Sequence, residues 1–107
     1  MSTARATVSE SVREYERKVE QLREFIAKCS FGGQFRVDEE DFRTPDRPPY
    51  RYCQLVVEVR RSSAPRVISD LSNLTVEVGG YLTMNVYSHI DACHIIVAVS
   101  RPLEEGE

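Results

Sequence analysis

LTVEVGGYLTMNVY, residues 74–87, decides how this chain is read. Two apolar–polar alternations, 74–78 and 81–87, flank Gly79-Gly80. Period-two alternation marks a half-buried strand, and a glycine pair between two such runs is a hairpin signal. A two-residue loop sets Val78 against Tyr81 and Val76 against Thr83. A three-residue loop, Val78-Gly79-Gly80, sets Glu77 against Tyr81, Val76 against Leu82 and Leu74 against Met84. The second register keeps apolar beside apolar and gives Gly80 the left-handed conformation such loops need. The stretch is predicted to be two antiparallel strands.

Working outward, residues 88–91 form a turn, and 92–100 is apolar on nearly every residue. That pattern predicts a strand covered on both faces, hence a central one. Pro102 ends it, and 101–107 is a frayed acidic tail. Upstream, Ser62-Ser63-Ala64-Pro65 starts a short helix over 64–72, with Val67, Ile68 and Leu71 on its buried side and a stop at Asn73. Residues 50–61 are the best strand: Cys53, Leu55, Val57 and Val59 point one way, Tyr52, Gln54, Val56, Glu58 and Arg60 the other. Pro45, Pro48, Pro49 and the run Asp38-Glu39-Glu40-Asp41 predict an exposed loop over 39–49. Phe35 and Val37 mark a short strand over 34–38.

The strongest periodicity lies at the N-terminus. Val8, Val12, Tyr15, Val19, Leu22, Ile26 and Cys29 recur at alternating spacings of four and three, which predicts a helix over 8–31 behind a flexible 1–7. Glu14–Lys18 and Glu24–Lys28 fall at helical pair spacing on its wet side, and Gly32-Gly33 stops it. The expected fold is α+β and one domain: a long N-terminal helix packed on a four- to five-stranded, mostly antiparallel sheet, with a short second helix in a crossover.

Composition bounds the function. The chain has 107 residues, 41% of them apolar, and a net charge of −3. Residues 50–73 sum to +2 and residues 74–107 to −4, so no segment has the density of a basic arm or an acidic tail. No apolar run approaches the roughly 20 residues that span a bilayer, and no apolar stretch follows the N-terminus, so neither a membrane segment nor a signal peptide is expected. Cys29, Cys53 and Cys93 are odd in number and lack C-x-x-C spacing, which suits thiols in a reducing, cytoplasmic or nuclear, compartment.

No convergent catalytic set stands out. Cys93 and His94 are strand neighbours and face opposite sides. His89, Asp91, Cys93 and His94 match no common zinc spacing. The carboxylate run lacks the glycine and terminal Glu of a calcium loop. No cofactor and no small-molecule substrate is inferred.

Two surfaces remain. On the helix, Val12, Tyr15, Val19, Leu22 and Ile26 form a heptad-like stripe that covers the chain's own sheet or pairs with a partner helix. On the sheet, the face opposite the core collects Tyr52, Val56, Tyr81, Asn85, Tyr87, His94 and Ile96, an apolar centre ringed by aromatic and amide groups. It docks a second copy or another protein, or is closed over by 39–49 and 62–73, or stacks single-stranded RNA bases with Arg51, Arg60, Arg61 and Arg66 near phosphates. The expected function is a small non-enzymatic interaction or assembly module that self-associates, with RNA binding as the alternative.

Overall fold

The computed structural model describes residues 9–29 and 33–107. The expected flexible 1–7 and residues 30–32, with the first of the Gly32-Gly33 pair, lie outside them. In chain order the elements are α1 (Glu10–Lys28), β1 (Gln34–Phe42), β2 (Tyr50–Val59), a 3-10 turn (Arg61–Ser63), α2 (Ala64–Val78), β3 (Tyr81–Val86) and β4 (Cys93–Pro102). One four-stranded sheet has the order β1-β2-β4-β3, and every neighbouring pair is antiparallel. The fold is α+β, and the last strand is central, but the helices cover only the face bearing Cys93, Ile95, Val97 and Val99, not both faces as its apolar run predicts.

α1 begins where Ser9 accepts a hydrogen bond from the Val12 N–H at 3.2 Å, with Glu10 in the first turn and Lys28 in the last. It ends earlier than the predicted residue 31, because Cys29 is already extended. Tyr15 and Leu22 are buried in the core, and Val19, Phe25 and Ile26 pack against it. On the wet side Glu14 pairs with Arg17, one residue short of the predicted Lys18.

The predicted hairpin over 74–87 is not formed. Residues 74–78 are the last turns of α2, which runs to Val78 instead of stopping at Asn73. Val67, Leu71, Leu74 and Val78 continue one buried helical stripe at spacings of four, three and four. Val76, which made the stretch look alternating, is 83% exposed on the opposite side. The glycines end the helix. Gly79 takes φ 66°, its N–H reaches the Val76 carbonyl, and the Gly80 N–H reaches the Thr75 carbonyl at 3.0 Å. This pair of bonds satisfies two carbonyls that the helix end would leave open. The left-handed residue is therefore Gly79, not Gly80. β3 pairs with β4 alone, so β2 and β3 run parallel with β4 between them.

Two further segments differ from expectation. β1 continues through the carboxylate run to Phe42, where a loop over 39–49 was predicted. Charge belongs on a sheet edge, where it deters pairing with other chains, and here each carboxylate also has a partner. Arg36 Nε donates to Asp38 at 2.7 Å, the Tyr15 hydroxyl to Glu39 at 2.6 Å, the Tyr52 hydroxyl to Glu40 at 3.2 Å, and Arg51 Nε to Asp41 at 2.6 Å. The predicted frayed tail is anchored instead. Arg101, only 6% exposed, donates two hydrogen bonds to the Glu107 carboxylate at 2.8 and 2.7 Å and lies over the Tyr15 ring.

Both helices cover one face of the sheet. Its core comprises Cys53, Leu55, Val57 and Val59 of β2 and Cys93, Ile95, Val97 and Val99 of β4, packed against the α1 and α2 stripes. Leu22, Leu55, Leu71 and Ile95 are fully buried, and each such side chain contributes roughly 2 kcal/mol of transfer free energy. Met84 and Val86 point to the same side but sit at the β3 edge, where they remain exposed.

Candidate interaction surface

The second face of the sheet has no layer over it among the described residues. The strand registers place on it Arg36, Asp38, Glu40 and Phe42 of β1, Tyr50 to Glu58 alternately on β2, His94, Ile96 and Ala98 on β4, and Tyr81, Thr83 and Asn85 on β3. The expected interface residues Tyr52, Val56, Tyr81, Asn85, His94 and Ile96 thus share one surface, and Tyr87 joins it at the end of β3. Thr75 and Glu77, placed on a strand by the predicted hairpin, belong to α2, and Arg60 lies beyond the end of β2. The helix stripe is engaged internally: Tyr15 and Leu22 are core, Val19 and Ile26 pack on it, and Val12 is half-buried.

The centre of the open face is apolar. Val56 is 3% exposed, lying between its cross-strand neighbours Arg36 and Ile96. At one end Phe42 stacks on Tyr50 and on Tyr52, with ring centroids 5.4 and 5.1 Å apart. These rings, with Tyr81, Ile96 and Ala98, line a shallow depression of about 350 Å³. Tyr81 is 73% exposed. The reading of 39–49 as a loop left Phe42 out of this corner, although Phe35 and Val37 begin an alternation that β1 continues.

At the other end lies a polar relay that the sequence reading missed. The Tyr87 hydroxyl and His94 Nδ1 are 3.1 Å apart, and His94 Nε2 and Glu58 Oε1 are 2.8 Å apart. The imidazole thus bridges the Tyr87 hydroxyl and the Glu58 carboxylate through its two ring nitrogens. The signal lay in the pairing of β2 with β4, which sets Glu58 opposite His94. Order of this kind fixes the rings at the rim of the apolar centre. Among the described residues no cluster of ligating side chains suits a metal ion, and no helix is long and apolar enough to cross a membrane.

The arginines named for RNA binding do not gather beside the aromatics. Arg51 points to the helix side, where it is held by Asp41 and approaches Glu107 at 3.4 Å. The Arg51 guanidinium in turn lowers the Asp41 pKa below its usual range. Arg61 lies 3.6 Å from Asp91, and Arg66 is exposed on α2. The open face carries more acid than base, with Asp38, Glu40 and Glu58 against Arg36.

The thiols of Cys53 and Cys93 lie in the core, and Cys29 is half-buried at the end of α1. Burial pushes Cys53 up to about 11, with Glu39 nearby adding to the effect, and burial raises Cys93 as well. A thiol is nucleophilic as its thiolate. Cys53 and Cys93 are expected to react with iodoacetamide at pH 8 at least about a hundredfold more slowly in the folded protein than in urea. Rapid native labelling of Cys93, read by peptide mass, would contradict this. No family model matches the chain, and no curated protein or solved structure is similar enough to place it in a family.

Proposed function

We propose that this chain is a non-catalytic assembly module that associates with a second copy of itself through the open face of its sheet. The observation that carries the reading is a sheet with both helices on one side and an aromatic-ringed apolar centre on the other. A sheet face of that composition gains free energy when another layer covers it.

Size and charge favour a second copy. Strands about 4.8 Å apart, rising about 3.3 Å per residue, give the face roughly 600 Å² in plan. That is on the scale of the ~800 Å² per partner of a standard interface. Its carboxylates lie on β1 and β2, and none lies on β3 or β4. A two-fold axis parallel to the strands lays β1 over β3 and β2 over β4. Asp38 then lies over Tyr81 and Glu58 over His94 of the second copy, and no two acidic groups meet.

Ile96 tests the reading, because it is half-buried at the centre of the face and outside the helix-side core. Ile96→Glu is expected to weaken association at least about a hundredfold, as central apolar anchors do, while circular dichroism stays that of a folded chain. Light scattering across a concentration series reads the outcome. An unchanged dissociation constant in a folded Ile96→Glu protein would overturn the proposal.

A further inference from the structure

The two edges of the sheet follow opposite rules. β1 is charged at five of its nine positions. β3, YLTMNV, has no charge and no proline, and five of its six residues are exposed. Natural edge strands are normally blunted by charge, proline or a bulge, because an open edge is a template for another strand. Here only one of the two edges is blunted. Met84 and Val86 add exposed apolar surface on the helix side of that edge, at 46% and 55%.

The hydrogen-bonding direction of β3 can be assigned. The Tyr87 N–H donates to the Ala92 carbonyl at 3.4 Å, and residues 87 and 92 face each other in the β3–β4 register. Antiparallel pairs alternate between residues that exchange both bonds and residues that exchange none. Tyr81, Thr83 and Asn85 therefore turn their amides and carbonyls toward β4. Leu82, Met84 and Val86 aim theirs away from the sheet.

Those outward groups are self-complementary. Consider two copies of β3 paired antiparallel about a two-fold axis normal to the sheet. If the axis passes at Met84, Met84 faces Met84 of the second copy, Leu82 faces Val86, Thr83 faces Asn85, and Tyr81 faces Tyr87. All three outward residues exchange hydrogen bonds in this register. With the axis at Thr83 only Leu82 and Met84 do so. The Met84 register also sets apolar pairs on the helix side and polar or aromatic pairs on the open side, the arrangement that stabilises cross-strand contacts.

We infer that β3 pairs with β3 of a second copy in the Met84-centred register, joining two sheets into one twice as wide. The inference rests on the reading that the chain self-associates, but it uses a different surface from the open face.

Three variants separate the two surfaces. Met84→Pro removes an outward N–H and leaves the bonds to β4 in place, a position where an edge strand tolerates proline. Val86→Lys places a charge on the edge at an exposed position and serves if the proline variant loses its fold. Ile96→Glu acts on the open face. Sedimentation equilibrium at about 100 µM is expected to show an oligomer for the parent chain and about half that mass for the edge variants. An oligomer halved by the edge variants and untouched by Ile96→Glu supports the edge and rejects face pairing. An oligomer dissolved by Ile96→Glu alone overturns the edge, and a monomeric parent chain overturns both.

The register has its own readout. In a Cys29→Ser background, Met84→Cys is expected to form an intermolecular disulfide under mild oxidation about tenfold faster than Asn85→Cys. Only position 84 meets its own copy at a bridgeable separation. Equal rates at the two positions would overturn the Met84-centred register.

Discussion

Gly80→Ala is expected to lower the melting temperature by about 10–20 °C. A Cβ at this position would stand 2.4 Å from the Ala98 carbonyl oxygen and 3.1 Å from a Val99 methyl. The first of these atoms is backbone of a central strand, so relief requires moving β4 rather than rotating a side chain. Overpacking of this kind costs about 3 kcal/mol or slightly more, and each kcal/mol shifts a domain of this size by roughly 4–8 °C. Gly79→Ala is the matched control. Its φ of 66° strains any L side chain, but there the nearest atom is the flexible end of Lys18. A cost of about 1 kcal/mol, or roughly 5 °C, follows. Differential scanning calorimetry of the two variants checks the order. A Gly79 variant less stable than the Gly80 variant would mean that the left-handed demand outweighs the close approach.

Glu107→Gln is expected to destabilise the fold more than Arg101→Met. Arg101 is buried, and beyond its bonds to Glu107 it donates to the Pro102 carbonyl at 3.0 Å, while its Nε has no hydrogen-bond partner. Removing the carboxylate leaves a buried guanidinium without its counter-charge, whereas a methionine of similar length removes the charge and keeps the contact with Tyr15. The effect depends on pH. The Arg101 guanidinium and the Glu104 N–H hold the Glu107 pKa down to about 2, against an ordinary 4.5. A carboxyl whose folded pKa lies below its unfolded one stabilises fully above the unfolded value and loses that contribution as pH falls through the folded one. The gap between parent and Glu107→Gln urea midpoints should be widest near pH 7 and narrow steadily from about pH 4.5 toward pH 2. A gap constant over that range would remove Glu107 as the anchor of Arg101.

The parts of the fold legible in the sequence are those in which one periodicity runs unbroken. Val12 to Ile26 repeats at helical spacing, Cys53 to Val59 alternates, and 92–100 is apolar on nearly every residue, so α1, β2 and the central place of β4 follow. Residues 74–78 carry two patterns at once. Leu74, Val76 and Val78 alternate as a strand would, while Leu74 and Val78 also continue the stripe begun by Val67 and Leu71. Local pattern cannot rank these readings, but tertiary packing does: the helix buries Leu74 and Val78 and leaves only Val76 in water. The second half of β1 is illegible for the opposite reason, since its carboxylates resemble a loop until Tyr15, Tyr52 and Arg51 meet them. The members of the open face on β2 and β4 were legible because alternation assigns faces. Its aromatic corner and its Glu58–His94–Tyr87 relay were not, because both depend on which strands lie side by side.

The position of β4 between β2 and β3 has a consequence for how the sheet is assembled. β1 and β2 are joined by a short connection and can zip locally. β3, although made earlier in the chain than β4, has no neighbour until β4 arrives and fills the gap beside it. Until then β2 and β3 each present an open edge with unsatisfied amides, and the helices have only part of a sheet to cover. β3 and β4 are joined by a connection as short as that of β1 and β2, so the non-local pair is β2 with β4, and closing it is the slow part of folding. The interval before β4 inserts is when the chain is most exposed to pairing with a neighbour in the wrong order. During synthesis that interval lasts at least until Cys93–Pro102 has left the ribosome.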